Sequence, residues 1–316
     1  MGLFSKTKKL AGWMSIGFHK DGVSVVHVQR SPQGLPKVGF AAFLQGGDTA
    51  PSATLEKLAK DFHAAKYQCT TLLSLGEYQL LTVDAPAVPQ EELKTAIRWR
   101  LKDMLDFHVD DATIDVLDIP MDKNASGRNK SMFAVAARNQ VIEQRQNMCT
   151  EAKIPLSVVD IPEMAQRNIS ALLEQDGRGV AMLSVTADGS LLTISYAGEL
   201  YLARRVDLSL EQVSHTDPEY RRSSYDRITL ELQRSLDHFD RQFHFITVSK
   251  LVISPLAEGA VGLQEYLAAN MYLPVESLNL DTILDLSEVP ELRSPENQQR
   301  YFMTLGAALR HEEKSL

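Results

Sequence analysis

Apolar residues crowd both sides of a polar centre in "WMSIGFHKDGVSVVHV", residues 13 to 28. Ile16, Phe18, Val23, Val25, Val26 and Val28 are β-formers on either side of Asp21-Gly22, so the stretch predicts strand, tight turn, strand. "FHKDGVSVV" at 18 to 26 has a counterpart in "VTADGSLLT" at 185 to 193, turning at Asp188-Gly189. Each hairpin is followed by a second turn and a third strand, through Pro32-Gln33-Gly34 into "KVGFAAF" and through Ala197-Gly198 into "LYLARRV". Asp-Gly hairpins are common in β-containing proteins, so on the hairpins alone duplication and coincidence both stay open.

The period of 3.6 then takes over and argues for an α/β protein of two lobes. "TLEKLAKDFHAAK" from 54 places Leu55, Leu58, Ala59 and Phe62 on one face, and "LLSLGEYQLLTVDAP" reads as a strand pair around Gly76. A long helix from 224 aligns Ile228, Leu232, Ser235, Leu236, Phe239 and Phe243, and is followed by a strand from 250, a short helix "VGLQEYLAANM" and a strand "VESLNL". "NQQRYFMTLGAALR" closes the chain as a helix in which Gly306 and Ala308 leave room for a close neighbour. Between the halves, residues 86 to 158 have a different character. An amphipathic helix "VPQEELKTAIRWRLKDMLDF" with Pro89 before an acidic first turn leads to "ATIDVLDIPM", a polar and mobile loop at 122 to 131, "MFAVAA" and a helix "RNQVIEQRQNMCTEAK". This is the pattern of a small inserted β/α unit.

Composition narrows the function. At 44% hydrophobic and 23% charged, the 316 residues suit a globular protein of two domains or a large split one. A formal net charge of -8 argues against a general nucleic-acid binder. Lys6, Lys8 and Lys9 precede an apolar run too short for a signal peptide, Lys6 breaks the myristoylation pattern, and no run reaches membrane-span length, so a cytosolic location is expected. Cys69 and Cys149 lack metal-type spacing and read as small buried hydrophobes.

"DAPAVPQEELKTAIRWRLKDMLDFHVDDATIDVLDIP" from 84, "RITLELQRSLDHFDRQF" from 227, "LAEGAVGLQEYLAANMYLPVESLN" from 256 and "YFMTLGAALR" from 301 carry a resemblance that covers nearly the whole chain with the two hairpins. The chain resembles the PilM-like actin-fold proteins of type IV pilus assembly, and among them the MshI type of the mannose-sensitive haemagglutinin (MSHA) system. The resemblance implies an actin-like α/β fold of two duplicated, ribonuclease-H-like lobes with an inserted subdomain of the FtsA/PilM type. It divides the chain into a first lobe at 1–85 closed by a C-terminal helix at 298–316, the insertion at 86–158 and a second lobe at 159–297. It further implies an adaptor on the cytoplasmic face of the inner membrane. Its partner would be the N-terminal tail of a PilN-like single-span membrane protein, docked between the first lobe and the insertion, with a PilO-like protein and the assembly platform joined indirectly. Within the insertion helix, Ile97, Trp99 and Leu101 are the candidates for that contact, because an aromatic flanked by Arg98 and Arg100 is a common interface composition; packing of Trp99 on the insertion's own sheet is the open alternative.

Nucleotide-binding members of such a family offer an acid on the first hairpin strand, small turn residues and a Lys on the return strand, since turn amides cradle phosphates and the acid holds hydrated Mg²⁺. Here Gly17 stands for the acid and Ser24 for the Lys, and the turn carries His19, Lys20, Asp21 and Gly22. The second hairpin, Thr186, Ala187, Asp188 and Gly189, has Ser184 in place of the acid, and the adenosine region reads Ser254-Pro255 where a Gly pair is expected. Asp21 and Asp188 suit tight turns on backbone grounds alone. The expectation is a degenerate nucleotide site in a protein that is not an enzyme and has no required cofactor, Mg-ATP being the one that the resemblance offers. A nucleotide-switched ATPase is the alternative; a GspL-like adaptor of type II secretion, a family that usually continues into a membrane span, is a second. No G-x-S-x-G, G-x-x-x-x-G-K or H-E-x-x-H occurs, and His238, Asp240 and His244 read as polar-face residues of the long helix.

Overall fold

The computed structural model describes residues 9–46, 51–121, 130–257 and 262–311. The expected polar loop therefore lies almost wholly outside the described residues. Strands β1 (Trp13–His19), β2 (Gly22–Ser31) and β3 (Gly34–Gln45) form an antiparallel meander, and helix α1 (Pro51–Asp61) returns the chain to β4 (Gln68–Leu72), parallel to β1. Next come β5 (Tyr78–Asp84), α2 (Leu93–Leu101), β6 (Ala112–Asp118), β7 (Ser131–Arg138) and α3 (Asn139–Glu151), then β8 (Leu156–Asp160) and α4 (Pro162–Ser170). The second half repeats the first plan with β9 (Arg178–Thr186), β10 (Gly189–Tyr196), β11 (Glu199–Val206), a short α5 (Leu210–Val213), the long α6 (Pro218–Gln242), β12 (Thr247–Ile253), α7 (Gly262–Asn270) and β13 (Val275–Ser277). Helix α8 (Pro295–Ala308) follows.

The two large sheets have the same topology. One runs β3-β2-β1-β4-β8 and the other β11-β10-β9-β12-β13, each a meander extended by two parallel strands. That shared order makes the echo between the hairpins a duplication of whole lobes. The turns differ from the sequence reading by one residue: His19 pairs with Gly22 and Thr186 with Gly189, so the two-residue loops are Lys20-Asp21 and Ala187-Asp188. Gly22 opens β2, where a Cβ would lie 2.3 Å from the Leu44 carbonyl; packing of β2 on β3 requires the glycine.

The inserted unit begins earlier and ends earlier than its expected limits of 86 and 158. β5 does not pair with β4 around Gly76; it pairs along its whole length with β7 in a separate sheet of order β5-β7-β6. β8, at the expected end of the insertion, pairs in parallel with β4 of the first lobe. The Ser74–Glu77 turn, closed by the Glu77 amide on the Ser74 carbonyl at 3.1 Å, resembles a hairpin turn in sequence, yet the chain uses it to leave the first sheet. α3 is shared, with Val141 and Ile142 against the inserted sheet and Cys149 inside the first lobe's core beside Met14 and Leu55.

Apolar burial holds these parts together. Leu93, Ile97 and Leu101 recur every four residues along α2 and join Val109, Val116 and Met132 in the insertion's own core. α8 inserts Tyr301, Phe302, Leu305 and Leu309 between Val26 and Val28 of the first lobe and Met182 and Val252 of the second. α4 crosses against α8, with Asn168 Nδ2 donating to the Gly306 carbonyl at 2.9 Å. Among the described residues no helix is long and apolar enough to cross a membrane. Cys69 and Cys149 are free and buried, and burial raises their thiols to about 12 and about 11.

Candidate functional site

The meander order brings the β1–β2 and β9–β10 turns to face each other across a cleft of about 470 Å³, closed behind by the first turns of α8. Of the residues expected at a phosphate site, His19, Asp21, Thr186, Ala187, Asp188 and Gly189 line it. Lys20 stands at its mouth, where Nζ donates to Asp188 Oδ1 at 2.7 Å and ties one hairpin tip to the other. Arg300 of α8 donates to Asp21 Oδ2 at 3.0 Å while its guanidinium lies 4.2 Å from the Phe43 ring centroid. Both turn carboxylates are thus engaged by cations of the protein itself. Desolvation raises the Asp21 carboxyl, but the hydrogen bond and charge of Arg300, joined by a backbone hydrogen bond and the charge of His19, outweigh it and hold the group below the usual range.

The wall beneath the first turn is filled by hydrogen-bonded side chains. His19 Nε2 and Ser24 Oγ lie 2.8 Å apart, and Ser24 Oγ is 2.8 Å from Thr304 Oγ1 on α8. Burial lowers the His19 pKa, with Asp21 opposing and Arg300 assisting, so the imidazole is neutral at pH 7. A Cβ on Gly17 would come within 2.5 Å of both Ser24 Oγ and Thr304 Oγ1. An Asp at 17 would therefore have to displace that hydroxyl pair. On the opposite wall Ser184 offers a buried neutral hydroxyl that has no hydrogen-bond partner. Thr186 Oγ1 donates to the Gly189 carbonyl at 2.8 Å and accepts from the Asp188 amide at 3.3 Å, which commits that turn amide internally. In the adenosine region the Ser254 amide donates to Leu183, Pro255 has no amide, and the Ala257 amide donates to Gln299 of α8 at 2.9 Å. Among the described residues no group of three or more His, Cys, Asp or Glu side chains is arranged to hold a metal. Asp21 and Asp188 are held by Arg300 and Lys20, and positions 17 and 184 carry Gly and Ser.

A second cavity, about 240 Å³, lies between the inserted sheet and the first lobe. Thr113 and Asp115 of β6, Val135 of β7, Ile142 and Gln146 of α3, and Val158 and Val159 of β8 line it. Among the described residues β8 is the last strand of its sheet, and its residues line the groove beside an edge that carries no described neighbour.

A sequence profile described as the type IV pilus assembly protein PilM matches residues 52–214, more than half of the chain. The chain belongs to the PilM family. The solved structure of a PilM-PilN type IV pilus biogenesis complex superposes with a TM-score of 0.72 at 18% identity, covering 95% of this chain and 98% of that one. A Bacteroides thetaiotaomicron protein of actin-like ATPase fold and unknown function gives a TM-score of 0.50 at 11% identity, covering 90% and 96%. No match was found among curated proteins. The fold of this PilM family member is the actin-like one, with duplicated lobes and an inserted β/α unit.

The three contact candidates on α2 do not stay together. Ile97 and Leu101 are fully buried in the insertion's core, so neither is available to a partner; their four-residue spacing with Leu93 is the signal that separates them from the exposed Trp99. Arg98 is also structural, donating through NH2 to the Ala112 carbonyl at 3.0 Å and through NH1 to the Val109 carbonyl. Trp99 is 71% exposed and faces away from the inserted sheet, outside the groove. Val158 and Val159 line the groove without a signal in the sequence, because which strand ends a sheet is not written in local pattern. His238, Asp240 and His244 are solvent-exposed along or just beyond α6.

Proposed function

We propose that the protein is a scaffold of a type IV pilus platform, of the MSHA type and in the position of MshI, and that it docks the N-terminal cytoplasmic tail of a PilN-like membrane protein. The observation that carries this reading is the groove between β8 and the inserted sheet, in a chain whose fold matches that of PilM in a PilM-PilN complex over 95% of its length. A tail entering extended would add to the free edge of β8 through main-chain hydrogen bonds and drop alternate apolar side chains against Val158, Val159 and Ile142. Docking of this kind holds the protein at the cytoplasmic face of the inner membrane, with a PilO-like protein reached through the PilN-like one. MSHA specificity is supported by the stretches from 84, 227, 256 and 301.

The scaffold works without nucleotide turnover. The engaged state of Asp21 and Asp188 and the filled space beside Gly17 support that part of the reading. A nucleotide-switched alternative draws on the surviving 470 Å³ cleft, and requires measurable nucleotide affinity for one state over another. Titrating the full chain with a synthetic peptide of the PilN-like tail from the same bacterium tests the docking. Saturable binding that Val158→Asp removes, with circular dichroism unchanged, is expected; no binding, or binding indifferent to that substitution, would overturn it.

A further inference from the structure

The cleft and the groove share a thin wall. Leu73, just past β4, lines both cavities, while Ile161 faces the groove and its neighbour Pro162 lines the cleft. The next residue, Glu163, is 1% exposed in the first turn of α4. A carboxyl at such depth persists only with partners. Its Oε2 accepts from the hydroxyl of Tyr78, the first residue of β5, and its Oε1 accepts from Arg205 NH2 of β11 at 3.4 Å. The Arg205 guanidinium also lies 4.5 Å from the Tyr78 ring centroid, so the three side chains form a closed set of contacts. One residue earlier, Glu77 accepts from Arg145 NH2 at 2.8 and 3.0 Å, and the Arg145 guanidinium sits 4.1 Å from the Phe18 ring of the first hairpin.

We propose that Glu163 is a positioning residue that pins the base of the inserted sheet to the second lobe, so that the width of the tail groove follows the arrangement of the lobes. β5 is paired with β7 from Tyr78 to Asp84, and β7 with β6, so a displacement of Tyr78 carries the whole inserted sheet relative to β8. Tyr78, Glu163 and Arg205 do not line the groove, and any effect of them on a docked tail must be transmitted. The inference rests on the docking reading for its consequence, and on the contacts alone for the pinning.

Hydrogen exchange and tail-peptide titration on full-length Arg205→Met and Arg205→Lys separate the two. Arg205→Met is expected to speed amide exchange about tenfold in β5, β7 and residues 156–161 while α6 is unchanged, and to weaken tail binding about tenfold; Arg205→Lys, which keeps the cation, restores both. Wild-type exchange in β5 and β7 of Arg205→Met, or a rise spread evenly over the chain, would overturn the pinning. Should Arg205→Met fail to fold, Glu163→Gln, which keeps an acceptor for the Tyr78 hydroxyl, is read by the same exchange pattern with the same two outcomes. A wild-type protein that binds no tail peptide would sink the docking reading, and the exchange result would still decide the pinning.

Discussion

The interlobe cleft and the groove beside β8 are both concave and both walled by the first lobe, yet their polar groups are treated differently. In the cleft Lys20 meets Asp188, Arg300 meets Asp21, and His19, Ser24 and Thr304 are linked in a row. In the groove the outer edge of β8 has no neighbouring strand among the described residues and lies beside half-buried valines. Buried polar groups must find partners somewhere. In the cleft the charged turn side chains are already paired, with the Ser184 hydroxyl left unpartnered, whereas an open strand edge next to apolar side chains is complementary to an extended chain.

The largest expected effect breaks the groove. Val159→Asp places a charge against the incoming chain and is expected to raise the dissociation constant of the tail peptide at least about 30-fold, roughly 2 kcal/mol, by calorimetric titration. An unchanged constant would move the docking site elsewhere. In the cleft, Gly17→Asp reinstates the family's acid but collides with Ser24 and Thr304; overpacking of this kind should lower stability by about 1–3 kcal/mol in denaturant titration and bring no Mg-ATP binding. Recovery of nucleotide affinity in that variant would show that the cleft is one substitution away from function.

A smaller effect follows from pH. Burial lowers the His19 pKa, so the unfolded chain binds the proton more readily than the folded one, and stability present above pH 6.5 is lost as pH falls through the folded value. His27, lowered by burial against a hydrogen bond to Ala11, acts in the same direction. His19→Gln should flatten part of the decline in melting temperature below pH 6.5; an unaltered slope would contradict the assignment. The smallest effect sharpens the contrast. Lys20→Ala removes an exposed ion pair, 83% exposed at the Lys and 55% at the Asp, and should change stability by under about 1 kcal/mol while leaving tail binding intact.

Much of this was legible in the chain. The two hairpins follow from β-forming residues on either side of Asp-Gly, while the Leu93, Ile97, Leu101 spacing of α2 is a core stripe that the expected partner contact at Ile97 and Leu101 overlooks. What escaped were matters of long range. Nothing local distinguishes a strand that pairs back on its predecessor from one that leaves for another sheet, so the pattern around Gly76 reads as a hairpin and places the start of the insertion too late. The edge position of β8 depends on all five strands of its sheet. The partners of Lys20 and Asp21, at 188 and 300, are equally remote, and that remoteness is why the pairing of the cleft's charged side chains has no signature in the sequence.

The most direct test titrates the tail peptide into the full chain with and without millimolar Mg-ATP. The account predicts one dissociation constant under both conditions, as expected for a scaffold whose cleft takes no nucleotide. Tail affinity that changes with Mg-ATP would contradict it and make the cleft the control point of the groove.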